Sequence, residues 1–338
     1  MRNYLIVGPA WVGDMVMAQS LFITLKKLYP DCSIDVIAPA WSLPILERMP
    51  EVNTGIALSA PHGSLSLLAR WRLGRQLRKK KYSHAIVLPR SWKSALVPFF
   101  AGAAVRTGYR GEMRYGLLND IRALDKNCLT QTVQRFVAHA YKKLPALSDE
   151  LEIPFPVLQP SQQDNAQLLQ RLGLNLQRPV IAMMPGAEYG PAKQWPIQYY
   201  AELASLLVKS GYQVWVFGSA KEIPIGEKII SGIEANAVNL AGKTRLIEAV
   251  DLINCAQQAV SNDSGLMHVA AALKVKVHAI YGSSTPDYTP PLADDQHKKI
   301  YYLDLDCSPC FKRVCPLGHT NCLNNIQVSD VYAAIQQS

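Results

Sequence analysis

The sequence predicts an α/β protein made of two doubly wound, parallel-sheet domains facing each other across a cleft. Three observations predict it. Short β-rich runs alternate with longer helical stretches, the alternation stops and restarts once, and 338 residues exceed what one hydrophobic core usually organises.

In the first series, residues 4–8 read as a buried strand, 15–28 as a helix, 33–38 as a strand, 65–77 as a helix and 84–88 as a strand. The segment 151–160 carries Pro154, Pro156 and Pro160. Proline lacks the backbone donor and fixes φ, so this segment is the expected linker. The second series places strands at 180–184, 212–217, 259–261 and 277–281, with helices after Pro196, near 222–230 and from Ser264. The expected domains are therefore 1–155 and 156–325, followed by a C-terminal helix at 326–338. Strands joined by helical crossovers run parallel, and ligands of such sheets sit at the carboxyl ends of the strands.

Hydrophobic residues make up 49% of the chain and charged ones 18%. The longest uncharged apolar run, 95–105, is broken by Pro98 and falls short of the roughly 20 residues needed to cross a bilayer. The amino terminus has neither an apolar signal core nor a small-residue cleavage site, so a cytoplasmic protein is expected. The net charge of +9 is uneven: residues 1–155 hold 21 Lys+Arg against 11 Asp+Glu, and residues 156–338 hold 14 against 15. The first half is built to meet something negative: nucleic acid, anionic lipid or a phosphorylated sugar. Nucleic acid is disfavoured, because no binding module or aromatic interleaving accompanies the cations. The basic tract 70–81, with Arg72 and Arg75, reads either as a solvated helix face or as a contact for phosphates, carboxylates and anionic lipid.

The candidate chemistry lies where strands end. After the first strand comes Gly8-Pro9-Ala10-Trp11-Val12-Gly13-Asp14, which lacks the glycine spacing of a dinucleotide fingerprint. It presents Asp14 at a strand-to-helix junction, either as a helix cap or as a general base for a hydroxyl. In the second half, Pro185-Gly186-Ala187 opens a long loop that ends at Ala192-Lys193-Gln194-Trp195-Pro196. Lys193 is either an ordinary solvated lysine or the cation for a departing phosphate. In Ser261-Asn262-Asp263-Ser264-Gly265-Leu266-Met267-His268 a strand ends and small residues open a helix whose N–H groups suit a diphosphate. The plain alternatives are an N-cap for Asp263 and a buried imidazole for His268. Glu222, after Gly218-Ser219, suits a ribose diol or simply favours the helix dipole.

Cys307, Cys310, Cys315 and Cys322 cluster near the carboxyl end with His319 among them. Their density suggests an irregular structural zinc or iron–sulfur site, with reduced thiols or disulfides as alternatives.

Trp11-Val12-Gly13-Asp14, the loop from Pro185 to Pro196, the stretch 106–120, the run from Asn262 to Leu273 and Tyr281-Gly282-Ser283-Ser284-Thr285-Pro286 together resemble the ADP-heptose:lipopolysaccharide heptosyltransferases. The resemblance covers nearly the whole chain. It implies a GT-B fold and an inverting transfer of L-glycero-D-manno-heptose from ADP-heptose to the first heptose of the inner core. The acceptor would be heptosyl-Kdo2-lipid A at the inner face of the cytoplasmic membrane, with no cofactor required for catalysis. By the same resemblance, Asp14 is the base and Lys193 holds the diphosphate. Gly186, Glu222, Asp263, Ser264, Gly265 and His268 line the donor site, and Gly13, Arg72, Arg75 and Arg114 meet the acceptor. Two competing readings are a sugar-nucleotide epimerase on the same scaffold and a non-enzymatic protein that grips anionic surfaces.

Overall fold

The computed structural model describes residues 2–58, 65–142, 151–161 and 165–337. The chain forms two compact units, Met1–Leu158 and Gln159–Ser338. The first holds strands β1 (Asn3–Val7), β2 (Ser33–Ala38), β3 (Thr54–Ala57), β4 (His84–Val87), β5 (Val105–Tyr109) and β6 (Asp120–Arg122). They lie in the order β3-β2-β1-β4-β5-β6, all parallel. The second holds β7 (Val180–Met184), β8 (Gln213–Val216), β9 (Ala237–Asn239), β10 (Gln258–Asn262), β11 (Lys276–Ile280) and β12 (Lys298–Tyr301), ordered β12-β11-β10-β7-β8-β9 and again parallel. Each sheet reverses its direction of growth once, between β1 and β4 and between β7 and β10. In such sheets that reversal opens a crevice at the carboxyl ends of the strands, and the loops that follow these strands line it.

Central strands are buried and rich in apolar residues because helices cover both faces. Ile181 and Met183 pack with Trp195, Tyr200, Leu203 and Leu207 of the following segment. Val331 and Ile335 of the C-terminal helix Val328–Gln336 join the same core. Strands β3, β5, β6, β9 and β12 were not expected from the sequence. β3 is largely exposed, β6 and β9 have three residues each, β12 begins with two lysines, and β5 carries Arg106 and Gly108. None offers a run long or apolar enough to show a period of two.

The proline-rich segment is tied down rather than loose. Buried Gln19 donates to the Val157 carbonyl (2.7 Å) and accepts from the Val157 N–H (3.1 Å). Its amide thus mimics a strand partner and holds residue 157 to the first unit.

Two buried histidines are neutral parts of this fabric. His278 donates from Nε2 to Gln258 Oε1 (2.8 Å) and accepts at Nδ1 from the Tyr301 hydroxyl (3.0 Å). The assignment follows because Gln258 turns its amide nitrogen to the Ile335 carbonyl. His139 donates from Nδ1 to the Arg135 carbonyl (2.8 Å) and sits edge-on to Tyr109. Burial lowers each imidazole to about 4, helped at His278 by Lys276 and Lys299 and opposed at His139 by the Arg135 carbonyl. Unfolded, both take a proton near the ordinary histidine value. Their stabilisation is therefore complete above pH 6.5 and is lost as pH falls toward 4. Melting curves between these limits should show stability dropping by about 1.4 kcal/mol per pH unit for each histidine at mid-window. His278→Gln should flatten the slope.

Candidate active site

In the second unit the chain leaves β7 at Met184 and does not re-enter regular helix until Ile197–Lys209. The intervening loop is stapled by one buried side chain. Asn262, the last residue of β10, donates to the Pro185 carbonyl (2.6 Å). Its Oδ1 accepts from the Trp195 N–H (3.0 Å) and the Tyr200 hydroxyl (3.2 Å). Both ends of the loop are thus fixed to the neighbouring strand, and Lys193 is delivered beside the residue that follows Asn262. The Lys193 ammonium forms an ion pair with Asp263 Oδ2. Ser284 donates to the same oxygen (2.5 Å), and Thr289 donates to Oδ1 (3.4 Å). Asp263 is only 6% exposed, so its charge depends on these donors.

Ser264 is the extended N-cap residue of the helix Gly265–Ala272, whose first N–H groups face the carboxyl end of the sheet beside this pair. His268 lies one turn in and is buried, with Nδ1 unpartnered. Burial lowers its pKa to about 4; Asp263 opposes the shift and Lys193 adds to it. At neutral pH it is therefore an uncharged imidazole. In the turn after the neighbouring strand β8, Glu222 accepts the Ser219 N–H (2.6 Å). Its carboxylate stands over Gly186, where a Cβ would lie 1.6 Å from Oε1. Only glycine at 186 leaves room for that carboxylate at the β7 end.

In the first unit Gly13 and Asp14 occupy the first turn of the helix Val12–Leu28, directly after β1 and at the reversal point of that sheet. Gly13 is buried, and Asp14 is partly accessible. Arg72 and Arg75 are exposed on the helix Leu67–Leu77. Arg114 is not an acceptor contact in this arrangement. It is 2% exposed, and its guanidinium donates to the carbonyls of Pro89 (2.7 Å), Tyr109 (2.5 Å) and Ser91 (3.4 Å). A delocalised cation can be held inside by carbonyl dipoles, and here it joins the turns after β4 and β5.

Cys307, Cys310, Cys315, Cys322 and His319 line one cavity. Among the described residues, however, no three His, Cys, Asp or Glu side chains are gathered closely enough to hold a metal ion, and the cysteines are free thiols. Backbone N–H groups, that of Thr320 first and then those of Leu317, Gly318 and His319, hold the Cys315 thiol below its ordinary range. Burial and the three neighbouring cysteines push Cys322 up.

Residues 70–321 match the model of glycosyltransferase family 9 (heptosyltransferase). The chain belongs to that family. It is 51% identical over 296 residues to lipopolysaccharide heptosyltransferase 2 of Escherichia coli (strain K12), covering 86% of this chain and 85% of that protein. It is 49% identical over 304 residues to lipooligosaccharide heptosyltransferase 2 of Haemophilus influenzae, covering 86% of each. The solved E. coli ADP-heptose lps heptosyltransferase II superposes with a TM-score of 0.87 and 44% identity over 100% of this chain and 98% of that one. The family 9 fold is GT-B, and this chain is a glycosyltransferase.

The candidate residues named from the sequence fall in two groups: Lys193, Asp263, Ser264, Gly265, His268, Gly186 and Glu222 at the carboxyl end of the second sheet, and Gly13 and Asp14 at the carboxyl end of the first. Ser284 and Thr289 were missed as Asp263 partners. For Ser284 the sequence signal is the Tyr281-Gly282-Ser283-Ser284-Thr285-Pro286 run after β11, Thr289 lies beyond that run, and the adjacency of β11 and β10 is a long-range fact. Asn262→Ala would strand the Pro185 carbonyl, the Trp195 N–H and the Tyr200 hydroxyl. Each buried polar group left unpaired costs about 1–3 kcal/mol. The variant should melt several degrees lower and bind ADP more weakly, as thermal melts with and without ADP will show.

Proposed function

We propose that this glycosyltransferase moves L-glycero-D-manno-heptose from ADP-heptose to the first heptose of the lipopolysaccharide inner core, with inversion. The observation that carries the reading is the Lys193–Asp263 pair beside the open N-terminus of the helix Gly265–Ala272. The likeness to lipopolysaccharide heptosyltransferase 2 supports the donor and acceptor classes.

In this reading Asp14 takes the proton of the acceptor hydroxyl as its oxygen attacks the anomeric carbon. The bond from that carbon to the diphosphate breaks on the opposite face. Lys193 exchanges its Asp263 partner for the diphosphate, and the N–H groups following Ser264 receive the remaining charge. Asp263, still held by Ser284 and Thr289, turns to the heptose hydroxyls. Glu222 serves the ribose diol. A lysine and a helix N-terminus together supply the positive field the leaving ADP needs, so the chemistry requires no divalent ion. Arg72 and Arg75 meet the acceptor's phosphates and carboxylates. The acceptor is a glycolipid, so we place the enzyme at the inner face of the cytoplasmic membrane as a peripheral protein. Consistent with that, no helix among the described residues is long and apolar enough to cross a membrane.

ADP release from ADP-heptose should depend on added heptosyl-Kdo2-lipid A. Asp14→Asn should lower kcat by roughly 10²–10⁴ with ADP-heptose binding intact. A variant that turns over at the normal rate removes Asp14 as the base. Lys193→Ala should lower kcat by roughly 10²–10³. Donor incubated without acceptor separates the epimerase alternative, since an epimerase would yield an isomer and this enzyme should not.

A further inference from the structure

The six tryptophans of the chain are divided sharply. Trp195 and Trp215 are fully buried in the second unit, whereas Trp11, Trp41, Trp71 and Trp92 are exposed in the first. Three of the exposed ones share a place in the topology. Trp41 follows β2, Trp11 follows β1 and Trp92 follows β4, and these strands are consecutive neighbours in the sheet. Tyr115 follows β5, the next neighbour, and is also exposed. Trp11 and Trp41 are each 50% exposed and Trp92 37%. The carboxyl end of the sheet, which carries Asp14, therefore bears large aromatic side chains on adjacent loops.

These side chains stand on a braced base. The Trp41 indole N–H donates to the Ala10 carbonyl (3.2 Å), which anchors it against the loop that carries Trp11. The Trp92 N–H donates to Glu112 (2.9 Å), the Glu112 N–H to the Arg90 carbonyl (3.2 Å), and the Arg90 guanidinium to the Arg110 carbonyl (3.3 Å). Buried Arg114 bonds both loops from beneath. Arg90 and Arg110 are themselves exposed, so cations stand among the aromatics. Exposed aromatic rings on neighbouring loops, with arginines on the same loops, offer flat apolar faces and planar cations to one ligand.

We propose that this rim is the acceptor subsite, in which Trp11, Trp41 and Trp92 stack against the C–H faces of pyranose rings while Arg90 and Arg110 pair with the acceptor's carboxylates or phosphates. The ligand class is an anionic oligosaccharide. The inference rests on the acceptor reading given above and adds to it the groups that hold the sugar. Pyranose rings present flat C–H faces that indoles cover well, and planar guanidinium groups grip carboxylate or phosphate oxygens two at a time.

The test uses the full chain, ADP-heptose and an acceptor oligosaccharide freed of its acyl chains. Trp11→Ala, Trp41→Ala and Trp92→Ala should each raise the acceptor KM roughly tenfold, as truncation of a binding tryptophan does. The KM for ADP-heptose, kcat and the melting temperature should stay near wild type. Trp41→Phe keeps a ring and should recover most of the acceptor affinity. Calorimetric titration of the same oligosaccharide reads binding without turnover and should show the same tenfold weakening. If wild type transfers heptose and the alanine variants keep its acceptor KM, the rim proposal is overturned and the transferase reading stands. If wild type transfers nothing and binds no oligosaccharide, both are overturned. If the variants bind the oligosaccharide normally but lose binding to vesicles of anionic lipid, the rim meets the membrane and the proposal is overturned.

Discussion

An almost buried carboxylate paired with a lysine organises the second unit. Asp263 is acceptable there only because Lys193, Ser284 and Thr289 bring donors to both of its oxygens. Those donors come from two separate loops, one after β7 and one after β11, and each loop is shaped to deliver them. Asn262 clamps the first. The Ser283 N–H ties the second to the Ala192 carbonyl (3.1 Å). Pairing also holds the Lys193 side chain beside Asp263, so much of its rotamer freedom is already spent.

The first unit solves a different problem. It has to present polar and aromatic groups on loops and yet keep those loops in order. The means is a buried cation held by backbone carbonyls. Arg114 spends its guanidinium on backbone carbonyls of the turns after β4 and β5, and Gly111 fits against the Arg90 carbonyl where a Cβ would come within 2.3 Å. The interior charge is tolerated because it replaces the backbone hydrogen bonds that irregular loops cannot make for themselves. The positive half of the chain thus includes residues that serve architecture as well as binding.

Much of this was legible in the sequence, for a physical reason. Strands buried on both faces read as apolar runs, and glycines and prolines mark their carboxyl ends. The loops holding Asp14, Lys193 and Asp263 could therefore be located without coordinates. What stayed hidden depends on lateral order. That β11 lies next to β10, placing Ser284 on Asp263, and that β2, β1 and β4 stand side by side, aligning three tryptophans, is set by packing between distant segments. Arg114 came with the resemblance as an acceptor contact, and local sequence does not reveal the inward carbonyls that hold it. The short or lysine-bearing edge strands lacked the periodicity that would have announced them.

The turn after Cys315 has a chemical consequence. Four backbone N–H groups around one partly exposed sulfur favour the thiolate, the form that attacks electrophiles and peroxides, while Cys322 is held back by burial. Alkylating reagents should therefore mark the Cys315 side of the cavity before the Cys322 side. A sulfenic acid formed there would have other thiols around the same cavity to condense with. The Arg313 carbonyl two residues away accepts the Ala192 N–H (3.0 Å), next to Lys193. Damage at that sulfur would thus be mechanically continuous with the loop that carries Lys193.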